Sequence, residues 1–349
     1  MRVMKKELHN LIQNKIEKAG LTKEHAEIVA DVLTFADARG IHSHGAVRVE
    51  YYSERIAKNG IAHHPNFHFE KTGPASAIFE ADNGSGHVAA KLAMEEAIHI
   101  AKENGVAIVG IKHMSHSGAL AYFVEMAAKQ DMVALSVCQS DPMVVPFGGA
   151  EEYFGTNPIA FAAPTADERM LTFDMATTVQ AWGKILHARS KGESIPPTWA
   201  VDEQGAPTTD PSKVNALLPI AGPKGYGLMM MVDVLSGILL GLPFGKHVSS
   251  MYADLSKGRD LGQLHIVINP AFFTDMDLFK QHMSTMLDEV KQVKPAPGHE
   301  QVYFPGERGR LREKAYEENG IEIVDDIYEY LISEDIHYNR YDHKNKFAE

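Results

Sequence analysis

Cysteine is almost missing from this chain: Cys138 is the single one in 349 residues. No disulfide can close within it and no thiolate cluster can gather a metal, so a reducing compartment, the cytoplasm, is the expected setting. Positive charge is also in deficit, with 34 Lys and Arg against 46 Asp and Glu and a formal charge of -12. Nucleic acid and anionic membrane surfaces both demand clustered cations, so neither is expected as a partner. A long apolar run is lacking as well. The longest, residues 225–241, is interrupted by Asp233 and several glycines and falls short of the roughly 20 residues a membrane span needs, so a buried helix is expected there. The basic start, Met1 to Lys6, turns directly into an amphipathic pattern without the apolar stretch of a signal peptide. No fixed-period repeat and no low-complexity tract is present, which sets aside solenoids and linkers.

What remains is an ordinary globular composition, 44% hydrophobic and 23% charged, in a chain longer than one hydrophobic core usually serves. Two or three domains and a small-molecule ligand are the expectation. Residues 5–60 carry apolar positions at helical spacing, one segment running from Glu24 to about Ala38. The pattern then changes. Residues 77–81 read as a strand, Val88 to Asn104 as a helix and residues 106–111 as a second strand, together a β-α-β unit. A helix from about Gly118 to Gln130, a strand over 133–137 and a Gly- and Pro-dense loop over 141–158 follow. Strands near 159–163, 171–174 and 264–269, with a helix after Lys224, make the middle of the chain mixed α/β, and from Lys294 onward a loop gives way to helices.

Gly84-Ser85-Gly86 sits between a strand and a helix, where a dinucleotide fingerprint would lie. The acid that should end the next strand and bind ribose is missing, since Lys112 and His113 stand there. The glycines are therefore read as a tight turn, and no cofactor is placed on them.

Three other segments look chemical. Arg39-Gly40-Ile41-His42-Ser43-His44-Gly45-Ala46-Val47-Arg48 ends an amphipathic helix with two imidazoles, a hydroxyl and two guanidiniums. Arg48 suits a substrate carboxylate, because a planar guanidinium donates two parallel hydrogen bonds, and Tyr52 lies one helical turn on. The plainer reading is a helix C-terminus whose basic groups answer exposed carbonyls. His113-Met114-Ser115-His116-Ser117-Gly118 follows a strand at the carboxyl end where α/β sheets place ligands. An imidazole with a reference pKa of about 6.5 accepts and returns a proton near neutrality, and the pattern does not separate His116 from His113. Gly222-Pro223-Lys224-Gly225 before the apolar helix offers N–H groups and an ammonium to an anion, or is merely a glycine-rich turn. Asp174, at a strand end, is a ligand or a helix cap. Paired imidazoles at His42 and His44, His63 and His64, and His113 and His116 raise a metal-dependent hydrolase as a rival, with no acidic ligand evident beside His42 and His44. No metal is expected. A non-catalytic binding protein is a third reading, less favoured because a binder needs no base.

Taken together, Arg39-Gly40, Ser43-His44-Gly45 and Arg48, then Met114 to Gly118, Pro146-Phe147-Gly148-Gly149, Gly155-Thr156-Asn157-Pro158, Asp174-Met175-Ala176-Thr177 and Lys224-Gly225-Tyr226-Gly227 resemble the malate and L-lactate dehydrogenase type 2 oxidoreductases. That family is distinct from the Rossmann-fold lactate and malate dehydrogenases, and the likeness spans the whole chain. The resemblance implies an α/β, non-Rossmann dinucleotide-binding fold with a helical N-terminal piece, and NAD-dependent removal of hydride from C2 of a small 2-hydroxy acid. It makes His116 the proton acceptor, with Asp141 orienting it or binding substrate, and sets Ser43, His44, Arg48 and Tyr52 around the substrate. Ser140, Asp174, Met175, Ala176, Lys224, Gly306, Glu307 and Arg308 are implied at the cofactor. A homodimer with its active site near the subunit interface is also implied. The expected domains are 1–72, helical, with C-terminal helices over 331–349 packed on it; 73–117 plus 297–330, catalytic; and 118–296, cofactor-binding.

Overall fold

A computed structural model describes residues 1–336. The chain opens with a short strand, β1 (Arg2–Val3), and three helices, α1 (Lys5–Ala19), α2 (Lys23–Ala38) and α3 (Val49–Ala57). Leu8, Ile12 and Ile16 of α1 and Val29 and Leu33 of α2 recur at helical spacing and are buried, each stabilising the fold by ~1.5–3 kcal/mol. Thr22 starts α2 by accepting from His25 N–H. On α3 the charged side chains are buried too, and Arg55 donates to the carbonyls of Met251 and Lys257, tying this helix to a segment two hundred residues away.

The central region runs β2 (His68–Gly73), β3 (Ser76–Glu80), α4 (Gly86–Asn104), β4 (Val106–Met114), α5 (Ala121–Ala128), β5 (Val133–Cys138), β6 (Ile159–Pro164) and β7 (Met170–Met175). Next come α6 (Trp182–Lys191), the two-residue strands β8 (Ala200–Val201) and β9 (Ala216–Leu217), and α7 (Pro223–Ser236). The chain then forms β10 (Leu261–Ile268), α8 (Met276–Gln292), α9 (Glu307–Asn319), β11 (Ile321–Glu322) and α10 (Asp325–Ile332).

Seven strands make one sheet in the order β2-β3-β4-β10-β5-β6-β7. Only β3 and β4 are parallel, joined through α4 as the expected β-α-β unit. All other neighbours are antiparallel. A doubly wound parallel sheet is therefore not what this chain builds, in line with the expected non-Rossmann α/β class. Helices α4 and α5 pack on one face through Ala93, Ala97, Phe123 and Val124, and α7 with the turn after it packs on the other through Val232 and Leu240.

Two expected domain borders do not match this architecture. A border between 117 and 118 would cut through the sheet, because β4 pairs along its length with β10. Nor does 297–330 stay with 73–117: β11 pairs with β1, and Ile321, Ile323 and Tyr330 join the core of α1 and α2. The expected helices over 331–349 lie largely outside the described residues; α10, ending at Ile332, belongs to this N-terminal layer. The sequence pattern also does not reveal β2, whose side chains are mostly exposed, or α8, where only Leu287 is buried. Peripheral elements write a weak apolar signal.

The Gly84-Ser85-Gly86 turn has a packing reason for its glycine. A side chain on Gly86 would bring Cβ to 2.1 Å from the Ser115 carbonyl oxygen. The helix start must let the outgoing end of β4 pass this close, and that approach aims the Ser115–Gly118 loop.

Candidate active site

Two short segments build the site. The first leaves α2 at Ala38 and reverses through Gly40, whose φ of 74 favours glycine. Asp37, buried at the end of the helix, accepts from Ala46 N–H at 2.6 Å and pairs with His42 Nδ1 at 2.8 Å. The turn is thereby fixed, and it delivers Ser43, His44 and Arg48. Ser43 Oγ lies 3.0 Å from His44 Nδ1. Arg48 donates from Nε to the Ser43 carbonyl at 2.8 Å and from Nη1 to the Tyr252 hydroxyl at 2.6 Å.

The second segment is the loop after β4. Ser115 Oγ accepts from Gly86 N–H at 2.9 Å and Ser117 Oγ donates to Gln263 at 2.7 Å, which pins the loop on both sides of His116. His116 Nδ1 lies 2.6 Å from the Tyr52 hydroxyl, and its ring stacks on His44 with centroids 5.8 Å apart. The two loop histidines part company here: His113, at φ 53, turns to the Glu80 carboxylate 2.8 Å away.

Burial and then the nearby His44, Arg48 and His87 hold the His116 imidazole well below its ordinary 6.5, so it is neutral at physiological pH. His44 is likewise lowered to about 4 by burial and by Arg48. A base must be unprotonated, and a lowered pKa widens the range in which it is. With His116 as a proton acceptor, kcat/KM is expected to stay level as pH falls from neutrality through 6.5. A pH profile with its limb at or above 6.5 would contradict a neutral His116.

Of the two roles expected for Asp141, orienting His116 is not what its contacts show. Its Oδ2 accepts from Met251 N–H at 3.0 Å and its Oδ1 faces Arg259 Nη2 at 3.4 Å, while the partner of His116 is Tyr52. The reason is electrostatic. Arg259 is 1% exposed and requires a buried counter-charge, which Asp141 supplies. Through Arg259, which also donates to the Ser249 carbonyl at 2.6 Å, Asp141 holds the 249–252 segment that brings Tyr252 to Arg48. Sequence reasoning did not pick out Arg259 or Asp37, since neither lies in a motif.

His116, Ser43 and His44 line a cavity of about 290 Å³ whose far side is Ser140, Asp174, Met175 and Ala176. A second cavity of about 310 Å³ shares Ile41 and Asp174 with it and reaches Gly306. A third, of about 530 Å³, meets the second at Pro305 and Gly306 and includes Arg308. The three cavities neighbour one another through these shared residues, and the first is apolar at Leu120, Met175 and Ala176 and carries the hydroxyls of Ser140 and Thr156. Gly306, at φ 90, could not carry a side chain without pressing Cβ to 2.8 Å from the Thr172 carbonyl, so bare backbone faces the cleft there.

Asp174 stands at the end of β7 and heads no helix of its own. It lines the cleft, and it accepts from Ala121 N–H at 2.8 Å to cap α5. Burial pushes it up to about 6 against those backbone N–H groups. Two expected cofactor residues are not brought to the cleft. Lys224 is exposed at the start of α7 and lines none of the three cavities. Glu307 turns inward, pairing with Lys291 and accepting from Phe304 N–H at 3.4 Å, a tie that anchors the start of α9. Of the imidazoles that suggested a metal site, His42 turns to Asp37, His63 to the Ile56 carbonyl and His113 to Glu80, while His44 stacks on His116. Among the described residues no three His, Cys, Asp or Glu side chains are grouped to hold a metal.

The sheet order, the cleft and the pair of site loops define a chain of one family. Residues 3–332 match the family model described as malate/L-lactate dehydrogenase, and the protein belongs to that family. It is 62% identical over 349 residues, the full length of both chains, to ureidoglycolate dehydrogenase (NAD(+)) of Escherichia coli (strain K12). It is 38% identical over 341 residues to malate dehydrogenase of Pyrococcus horikoshii, covering 95% of this chain and 94% of that one. Among solved structures, sulfolactate dehydrogenase from Methanocaldococcus jannaschii superposes with a TM-score of 0.89 at 38% identity, over 95% of each chain. The protein is accordingly an oxidoreductase. Among the described residues no helix is long and apolar enough to cross a membrane.

Proposed function

We propose that the protein oxidises (S)-ureidoglycolate to oxalurate with NAD, a step of allantoin degradation. The observation that carries this is the His116 imidazole set against Tyr52 at the wall of the cavity, in a chain so similar throughout to a ureidoglycolate dehydrogenase (NAD(+)); burial and the nearby Arg48 favour its neutral form. Bound NAD supplies the hydride acceptor. The C2–H bond breaks with its electron pair leaving as hydride, the hydroxyl proton passes to His116, and the C2–O bond becomes a carbonyl. Arg48 and Tyr52 hold the carboxylate, with Ser43 and His44 beside it. Ser140, Asp174, Met175, Ala176, Gly306 and Arg308 hold the cofactor.

The test follows nicotinamide absorbance with ureidoglycolate, lactate, malate and 2,3-diketogulonate, each with NAD and with NADP. The highest kcat/KM belongs to ureidoglycolate with NAD; a higher value for any other pair replaces that substrate or cofactor. Arg48→Lys keeps the charge but loses the planar fork, so KM rises by about 10- to 100-fold with a smaller change in kcat.

The working form is a cytoplasmic homodimer with the active site near the interface. Met230, Val234, Ile238 and Leu239 expose an apolar strip along α7 and the turn that follows, surface that association would bury. Sedimentation of Leu239→Lys with Val234→Lys is expected to show monomer where the parent shows dimer.

A further inference from the structure

A hydrogen-bond donor fixes the state of the His116 ring. Gly118 N–H donates to Nδ1 at 3.3 Å, and a backbone amide cannot reverse its role. The Tyr52 hydroxyl lies 2.6 Å from the same nitrogen. Nδ1 is thus an acceptor, and a neutral ring with Nδ1 accepting carries its proton on Nε2. Nε2 has no hydrogen-bond partner among the described residues and is the nitrogen left for a ligand. In that form it cannot accept a proton from a substrate hydroxyl.

We propose that Tyr52 is a positioning residue that switches the tautomer of His116 when an acid substrate binds. A phenol holds one proton and gives it in one direction at a time. Without substrate it goes to Nδ1. With substrate it goes to the carboxylate that Arg48 holds, and the Tyr52 oxygen then accepts from Nδ1–H, leaving Nε2 bare. The ring stays neutral throughout: solvent takes the Nε2 proton and supplies one to Nδ1, and the cost is the long Gly118 bond together with the repulsion of two N–H groups whose nitrogens lie 3.3 Å apart, offset by the hydrogen bonds that the carboxylate and Nδ1–H make to Tyr52. Position favours this, since Arg48 starts the helix on which Tyr52 stands one turn on. Burial also keeps the Tyr52 phenol from ionising, so it always has that proton to give. The enzyme's base is thereby armed by the carboxylate of the molecule it is to oxidise.

This rests on His116 being the base of the proposed reaction, and the experiment separates the two. Protein labelled with ¹⁵N-histidine and saturated with NADH is observed by NMR without and with saturating oxamate, an unreactive acid, the His116 signals being assigned by their loss in His116→Gln. The expected result is Nε2–H alone and Nδ1–H with oxamate, and Nε2–H or a mixture insensitive to oxamate in Tyr52→Phe. That variant also loses about tenfold or more in kcat. The same tautomer in both states, or a switch that survives in Tyr52→Phe, overturns the proposal. A switch seen in a protein whose His116→Ala variant keeps its kcat upholds the tautomer assignment and removes the catalytic reading instead.

Discussion

His116→Ala is expected to lower kcat by about 10²- to 10⁴-fold, the usual cost of removing a positioned proton acceptor, while NAD affinity changes little. The separation follows from the geometry. His116 meets Tyr52 and His44 at one end of the cleft, whereas most of the cleft wall, from Ser140 through Asp174 to Gly306, comes from other elements. Single-turnover absorbance and NADH fluorescence titration read the two quantities independently. A loss of cofactor affinity equal to the loss of rate would show that the imidazole serves binding and not proton transfer.

Asp141→Ala is expected to destabilise the protein by about 3–5 kcal/mol, more than any surface change in the site, because it strands the buried Arg259 guanidinium without its counter-charge. Urea denaturation measures this directly. Asp141→Ala together with Arg259→Met should recover much of the loss, since a matched apolar replacement removes the orphaned charge. If the single variant is as stable as the parent, the buried pair does not hold the 249–252 segment. In the stable double variant Tyr252 would still be less well held against Arg48, and KM would rise while kcat changed less.

The parts of this molecule legible in its sequence are those where local pattern and tertiary role coincide. The β3-α4-β4 unit announces itself because both strands are apolar and the helix has a buried face. The two site loops announce themselves through glycine and histidine, residue types that ordinary loops have no need to combine. What stays hidden depends on partners far along the chain. Asp141 could not be read as the companion of Arg259, because 118 residues separate them and only the fold brings them together. His113 and His116 look alike in sequence and differ by a positive φ and by Glu80, which reaches across from β3. Glu307 has the look of a ligand but is captured by Lys291, sixteen residues earlier. The strand order is hidden for the same cause: no local signal says that β10 will insert between β4 and β5.

That β1 finds its strand partner only at β11 has a bearing on biogenesis. The helical layer made first cannot seal its apolar side until Ile321, Ile323 and Tyr330 have emerged from the ribosome, long after α1 and α2 are free to form. During that interval the nascent chain presents Leu8, Ile12 and Ile16 to whatever chaperone is at hand, and a message truncated before codon 321 should yield a product that is cleared or aggregates, even though every residue of the proposed chemistry has been translated.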